Sequence, residues 1–580
     1  MAAIFGFTGP TDEKCLHGMG HSLLHRGNGA LQSITDRNIS IGFSSGGYRQ
    51  KRGYLSGIIK REDMVLAIAG FACDTDKCII TLSDLLTEIR NRGTGVFSRL
   101  NGDYVCAYHD GVTTSLVRDM AGIRSIYYGQ YNNRLVFSVE PKGLLAFPGF
   151  PRRLRPASLA QYLSFSFVAG SWTMFRDIQV LPPGHILTCR EGMEPELRMF
   201  CDLYKSDFEH SDNIDTWSSR FVTHFQDAIQ DRLPESGPVG IFLSGGIDSS
   251  IVTAEVSKLY SGPVKTWAVH FGPDFSHELD YASAVAKRCG TCHREVLIRP
   301  GDFLPKIRKM VWHLDEPIGD PITAPNFELA RIASQEVDLI FNGEGGDPCF
   351  GGPKNIYMLL NHWYGGSPEN QYFREKAYCL SFRRAYEDIE LLLTPEFQRH
   401  ILIDRDIHDV LTPYFTAATP KGFLDKLMTM NIRLKGASLI LPKVERMLGA
   451  WGIDSLSPLF DWRIVQLSFA MPSRFKVKSG IEKYIFKHAY RDFLPLEVIV
   501  RPKSGMRVPV HFWFRGELKK YARKILNKKE LKKNGIFNYE YVDQLLNYSK
   551  ENGSGRHGLK LWMLITFEIW RRIFIEGESV

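Results

Sequence analysis

Residues 239–259 read VGIFLSGGIDSSIVTAEVSKL. A short apolar run breaks into glycines, serines and an aspartate, and helical spacing then resumes at once. This is the signature of a strand, a tight loop and a helix. Glycines leave backbone N–H groups open, hydroxyls add donors, and a helix N-terminus follows, so the loop suits a group with several negative oxygens. GxxxxGK[ST] is absent, so it is not a Walker loop. Ser244, Gly245, Gly246, Ser249 and Ser250 supply the donors. Asp248 contradicts an anion site until a cation is added; a carboxylate holding Mg²⁺ against phosphate oxygens removes the contradiction. A second carboxylate is then expected from another strand end, and Asp347 in VDLIFNGEGGD supplies it.

The surrounding texture alternates in the same way. VKTWAVHF, HREVLI and VDLIF read as strands, and LDYASAVAKRCG, FLPKIRKMVWHL and FELARIASQE as helices. Such alternation predicts a parallel α/β sheet with ligands at the carboxyl ends of its strands. From about Gly365 onward the chain reads mostly helical. The first roughly 200 residues differ. NISIGFSS, MVLAIAGF, DYVCAYHDG, TTSLVRD, SIYYGQY and RLVFSVE are short strands between Gly and Asn turns. They predict a layered α+β domain, closed by LPPGHIL. The polar stretch Tyr204 to Asp215 is the linker candidate, and the expected division is 1–205 and 206–580.

With 580 residues the chain exceeds a single domain. No apolar run reaches 18 residues and MAAIFGFTGP lacks the charged-then-apolar order of a signal peptide, so a cytoplasmic, non-membrane protein is expected. Ten scattered cysteines fit a reducing compartment. Cys289 and Cys292 form one CxxC without a matching second cluster, and read as thiols at a helix-to-strand turn. The net charge of +8 is mild for this length. The densest basic segment, Leu518 to Lys533, holds one aromatic and reads as a solvated helical face, so no nucleic-acid partner is expected.

LSGGIDSS resembles the pyrophosphate-binding loop of the N-type ATP pyrophosphatases. With FNGEGGDPCFGG, DEPIGDPITAP, MLGAWGIDSLSPLFD and RPKSGM it is similar to the synthetase domain of asparagine synthetase-like enzymes. FGFTG, LLHRG, LNGDY, VRDMAGIRSIYYG, FSVEPKGLLAF and LPPGHIL resemble the class II glutamine amidotransferase half of the same enzymes. The resemblance spans roughly residues 1–525. It implies an α/β protein: an N-terminal α+β sandwich of the Ntn-hydrolase type, then a parallel-sheet ATP pyrophosphatase domain with a helical extension. It also implies roles. Ser244 to Ser250 would hold the pyrophosphate part of ATP, and Asp248 and Asp347 would hold Mg²⁺. Leu243, Val269 and Gly343 would line the adenosine pocket. Lys503 and Lys483 match basic positions that answer charge developing on the adenylate and pyrophosphate. Glu344 falls near the reacting centre, with Asp454 as a further candidate for taking the amine's proton. Glu278, Asp280, Asp320 and Asn326 are polar candidates for the acyl pocket. The family suggests a homodimer.

The glutaminase half of such enzymes needs a cysteine directly after the initiator Met, whose thiolate attacks the glutamine amide. Here the sequence reads Met1-Ala2-Ala3, and the first cysteine is Cys15. The family's NGE, which binds glutamine, stands as Ala69-Gly70-Phe71, and HRGPD has become HRGNG. An engineered change at position 2 would explain Ala2 but not Ala69 and Phe71. The expectation is a scaffold dead for glutamine hydrolysis. The chain would be an ATP-dependent ligase that adenylates a small-molecule or peptide carboxylate and passes the acyl group to ammonia or an amine. β-Lactam-forming synthetases and lasso-peptide cyclases resemble it in that loss, so intramolecular amide formation is a second function open to it. The β-lactam formers carry tyrosine where Glu344 stands, paired with a carboxylate from the region matching Asp454; with Glu344 and Asp454 together, this chain departs from both patterns. The same residues leave two further functions open: a tRNA-adenylating pyrophosphatase and a partner-binding pseudoenzyme.

Overall fold

The structure is a computed structural model. It describes the chain except residues 28–30, 47–53, 77, 206–207, 366–371, 421, 503–504 and 549–555, and the side chains of 403 and 404. Two six-stranded antiparallel sheets stack in the N-terminal region. The first runs, edge to edge, Gln179–Val180, Tyr127–Tyr131, Arg134–Ser138, Ala3–Thr8, Ile39–Ser44, Leu31–Asp36. The second runs Glu196–Met199, His185–Arg190, Thr113–Arg118, Leu100–His109, Met64–Asp74, Leu55–Arg61. Helix Glu13–His21 covers the outside of the first sheet and helix Leu82–Arg92 that of the second, giving four layers. Strand Met64–Asp74 shows why its sequence lacks polar alternation. Val65, Ala67 and Ala69 pack between the sheets, while Leu66, Ile68 and Ala72 pack under helix Leu82–Arg92. A strand buried on both faces reads as a continuous apolar run.

The second region is built on a five-stranded parallel sheet in the order Cys292–Leu297, Val264–His270, Val239–Phe242, Leu339–Phe341, Asp454–Leu456. The first of these five strands in chain order, Val239–Phe242, is central, and the chain departs from it to both sides. Strand order therefore reverses between Val239–Phe242 and Leu339–Phe341. A crevice opens outside their carboxyl ends, because the following connections turn to opposite faces. SGGID and GEGGD are the two loops at that crevice.

The region after Gly365, read from the sequence as mostly helical, contains one strand that the reading did not place. Asp454–Leu456 is the edge strand of this sheet, and three residues with an acid and a serine carry no strand signal of their own. Elsewhere the region is helical, with a ten-residue π-helix, Asn431–Ile440, leading directly into helix Leu441–Gly449. Helix His557–Phe574 docks the C-terminal region onto the N-terminal one. The Tyr162 hydroxyl donates to the Met563 carbonyl at 2.8 Å, while within the second region Trp570 Nε1 donates to the Asp315 carbonyl at 2.7 Å and fixes the helix. Trp570 also meets Phe175 edge-on, with ring centroids 5.0 Å apart.

The two regions are clamped by buried charges. Arg26 and Arg446 both reach Glu140, at 2.8 and 2.6 Å, and Arg26 also binds Glu445. Lys142 bonds Glu140 and reaches Asp315 at 2.8 Å, while Arg124 meets Glu445 at 3.2 Å. A second clamp joins Asp103 and Asp461 through Arg232, at 2.6 and 2.7 Å, with Asn101 donating to Asp461. Truncating one member leaves an unpaired buried charge, which costs about 3–5 kcal/mol. Much of LNGDY, RDMAGIR and SVEPKG is thus interface structure.

Candidate active site

The loop after Val239–Phe242 closes on itself through its hydroxyls. Ser244 N–H donates to Ser249 Oγ at 3.2 Å, Gly246 N–H donates to Ser244 Oγ at 3.3 Å, and Ser250 Oγ donates to the Gly246 carbonyl at 2.8 Å. Helix Ile247–Leu259 starts there, so its unsatisfied N–H groups and positive dipole end face the crevice. Gly245 has φ +74°, and a Cβ there would lie 2.7 Å from the Ala282 nitrogen. Gly343, in the facing loop, is held by contact: its Cβ would stand 2.7 Å from the Ser249 nitrogen. The two loops touch backbone to backbone, which brings the donors of one against the acids of the other.

Asp248 lies in the first turn of that helix and Asp347 in the first turn of helix Gly346–Phe350. Between them stands Lys483, its side chain fully buried. Its ammonium bonds Asp248 Oδ2 and reaches Asp347 Oδ1 at 2.5 Å. Lys483 is the N-cap of helix Tyr484–Ala489 in the left-handed region, φ +52°. The resemblance implies a charge stabiliser at this position; in the structure Lys483 neutralises the two predicted metal ligands. Among the described residues no group of three or more His, Cys, Asp or Glu could hold a metal ion by itself. Two hard carboxylates facing a phosphate loop nevertheless fit Mg²⁺, which takes one or two protein carboxylates and completes its octahedron with phosphate oxygens and water.

Leu243 and Val269 line a narrow cavity with Trp267, His270, Asn326 and Met506 on the outer side of the phosphate loop. Planar and apolar walls there suit a purine. Glu344 begins the turn into helix Gly346–Phe350, its N–H donating to Asn342 Oδ1 at 3.1 Å. Lys503 lies outside the described residues, as do Asn28 and Gly29 of HRGNG.

Asp454 is not in this group. It opens strand Asp454–Leu456 opposite Leu339, whereas Glu344 follows the far end of that neighbouring strand. The strand rise separates them by on the order of 10 Å or more along the sheet. Asp454 instead faces the N-terminal region, 3.5 Å from the Met1 amine, and lines a small cavity with Ala2, Gly46, Tyr54, Gly70 and Phe71. The expectation that it works with Glu344 is replaced by this contact, since nothing local in the sequence tells which end of a strand an acid occupies.

That cavity is where the resemblance would put glutamine. Phe71 packs edge-on to Tyr54 at 4.9 Å, with the Arg232 guanidinium 4.8 Å over its ring. Among the described residues no thiol lines it. Cys15 is buried in helix Glu13–His21, and burial pushes its thiol up to about 11; burial likewise pushes Cys73 and Cys201 up to about 12. A thiol held protonated is a poor nucleophile.

Sequence reasoning missed a set of cations. Lys443 donates to Asp320 at 3.1 Å. Burial opposes the charge on Lys443, yet Asp320 and Glu344 raise it above the ordinary lysine range. Lys435, on the π-helix, is lowered by burial despite the nearby charges of Asp347 and Glu344. Arg501 pairs with Glu278 and lies 4.1 Å over the Tyr281 ring beside the loop. Of the acyl-pocket candidates, Glu278 and Asp320 are thus held by cations, Asn326 faces the purine-shaped cavity, and Asp280 is exposed. Lys435 and Lys443 were legible as charges eight residues apart in an apolar helical run.

Comparison with known proteins shows the family. Residues 221–572 match the asparagine synthase family and residues 74–200 the glutamine amidotransferase domain. "Asparagine synthetase [glutamine-hydrolyzing] 1" of Bacillus subtilis is 27% identical over 531 residues, covering 87% of this chain and 81% of that protein. "Amidase chry2" of Gibberella zeae is 22% identical over 543 residues, covering 80% and 78%. Among solved structures, a glutamine phosphoribosylpyrophosphate amidotransferase from B. subtilis matches at 13% identity, covering 60% of this chain and 83% of that one. Its TM-score of 0.25 is too low to carry weight. With more than half of its length in the synthase match, the chain belongs to the asparagine synthase family and is an ATP-dependent, AMP-forming carbon–nitrogen ligase.

Proposed function

We propose that the protein adenylates a substrate carboxylate and transfers the acyl group to ammonia or an amine without hydrolysing glutamine. The observation that carries this reading is the contrast between two of its cavities: a loop of donors facing paired acids in one region, and in the other a pocket lined by Phe71 and Tyr54 with no thiol among the described residues. A carboxylate oxygen attacks the α-phosphorus of ATP, and pyrophosphate leaves with the electron pair of the broken P–O bond. The amine nitrogen then attacks the adenylate carbonyl, AMP departs, and Glu344 takes the amine's proton. Ser244, Ser249, Ser250 and the open N–H groups of the loop bind the departing pyrophosphate. Lys503, by its place in RPKSG, answers the charge that develops on it. Mg²⁺, when bound, would screen the triphosphate from Asp248 and Asp347, the residues that would hold it.

The test is pyrophosphate release from Mg·ATP across a panel of carboxylic acids, aspartate included, each with and without ammonium. Release that requires one acid, and rises with ammonium, supports an ammonia-dependent synthetase. Release that requires an acid but ignores ammonium supports a substrate amine. ATP binding without release for any acid would refute adenylation of a small acid.

A further inference from the structure

Beyond the crevice lies a second cavity of about 490 Å³, sharing Met506 and Arg507 with the purine-shaped one. Arg383, Arg384, Arg507 and Arg556 line it, and Asp320 is on its wall. Its size admits the body of a small molecule together with a charged end.

The charge balance is lopsided. Asp320 is committed to Lys443 at 3.1 Å. Burial works against its charge, yet Lys443 and Arg384 hold its carboxyl below the usual range. Among the described residues, none of the four guanidiniums has a carboxylate within ion-pair distance, and Arg384 Nε is buried without an acceptor. Behind the wall stand Lys354 and Lys435. Burial, then the charges of Lys435 and Arg384, hold the Lys354 ammonium well below its ordinary value. Arg556 is lowered by burial and by the repulsion of Arg383, Arg384 and Arg507. Four like charges converging on one space destabilise a fold unless an opposite charge enters it. Planar guanidiniums match the oxygens of carboxylate and phosphate groups in pairs. The cavity also abuts the reacting centre, because Lys443, bonded to its wall at Asp320, feels the charge of Glu344.

We propose that the acyl substrate is a polyanion: it presents one carboxylate to the nucleotide and holds a second oxyanionic group in the cavity of Arg383, Arg384, Arg507 and Arg556. This rests on the adenylation reading above for the role of the first carboxylate. The class excluded is a monocarboxylic acid with an uncharged tail.

The experiment is calorimetric binding to the full-length protein, with a non-hydrolysable ATP analogue and Mg²⁺ filling the nucleotide site. The probes are tricarballylate, 3-phosphonopropionate and butyrate. Both polyanions are expected to bind, and butyrate is not; which of the two binds tighter tells carboxylate from phosphate as the distal group. Arg383 and Arg556 line this cavity alone and are exposed, so the double variant Arg383→Gln/Arg556→Gln is expected to fold. It should weaken polyanion binding at least about tenfold, the scale of one charge-assisted contact, with the ATP analogue bound as before. Arg384→Gln, at a half-buried position whose Nε is buried, should weaken it further. Failure of both polyanions to bind, equal binding of butyrate, or undiminished binding by the double variant overturns the proposal. Pyrophosphate release reads the other claim separately: polyanion binding lost in the double variant, with no release for any acid, would sink the ligase reading and leave the anion site standing.

Discussion

Replacing Lys483 by methionine separates the two roles a buried lysine at a metal site can have. The chain keeps its bulk at a fully buried position, but Asp248 and Asp347 lose their shared cation. Breaking a buried pair costs about 3–5 kcal/mol. The Asp347 side chain is 33% exposed, so water screens part of the repulsion. A loss of about 2–4 kcal/mol follows from that range after screening, read by denaturant unfolding in the presence of a chelator. The two carboxylates, no longer bonded to the Lys483 ammonium, then make a stronger cation site than the parent has. Saturating Mg²⁺ should therefore restore much of the loss, about 2.7 kcal/mol when free Mg²⁺ is roughly a hundred times its Kd. The parent, already neutralised, should respond less. Equal stability of variant and parent in chelator, or a variant indifferent to Mg²⁺, would refute the claim that Lys483 balances these acids.

Asp454→Asn should leave pyrophosphate release near the parental rate, because the residue faces the Met1 amine rather than Glu344; a large loss would put it back among the catalytic groups. Lys503→Ala should lose most turnover with an unchanged unfolding midpoint, and normal turnover would remove its role. Burial pushes the Glu316 carboxyl up to about 8 from an ordinary value of 4.5. The folded state then binds the extra proton, so this contribution to stability is complete below about 4.5 and is lost as pH rises through 8. Glu316→Gln, which keeps an acceptor for the Met174 N–H, should flatten the fall in urea midpoint over that window; an unchanged slope would refute the assignment. Trp570→Ala should cost about 3–5 kcal/mol by emptying a buried aromatic site, read as a lower midpoint for the whole chain.

The strand, donor-rich loop and helix around SGGIDSS were legible in the sequence because the three are contiguous there. The same contiguity made GEGGD legible as a strand end. Facts that depend on the order of strands were not legible. Asp454 reads as an acid beside a glycine turn, and only the sheet shows that it opens an edge strand at the end away from the crevice. Lys483 reads as one basic residue in IEKYIFK, and its place between two acids 235 and 136 positions earlier comes from the crossing of the two loops. LNGDY and RDMAGIR were legible as motifs, but Arg232 and Glu445, which give Asp103 and Arg124 their partners, belong to the other region. The arginine cavity was hidden for the same reason: its four members come from three segments that the fold brings together.

Whether the N-terminal region still hydrolyses glutamine is decided by counting two products in one reaction. With Mg·ATP, an acid that supports pyrophosphate release and glutamine as the only added nitrogen source, AMP and glutamate are measured together. The thiol-free pocket predicts no glutamate above the protein-free background, with AMP formed only when ammonium or the substrate's own amine is present. Glutamate appearing in step with AMP would show a working glutaminase and contradict the proposed function.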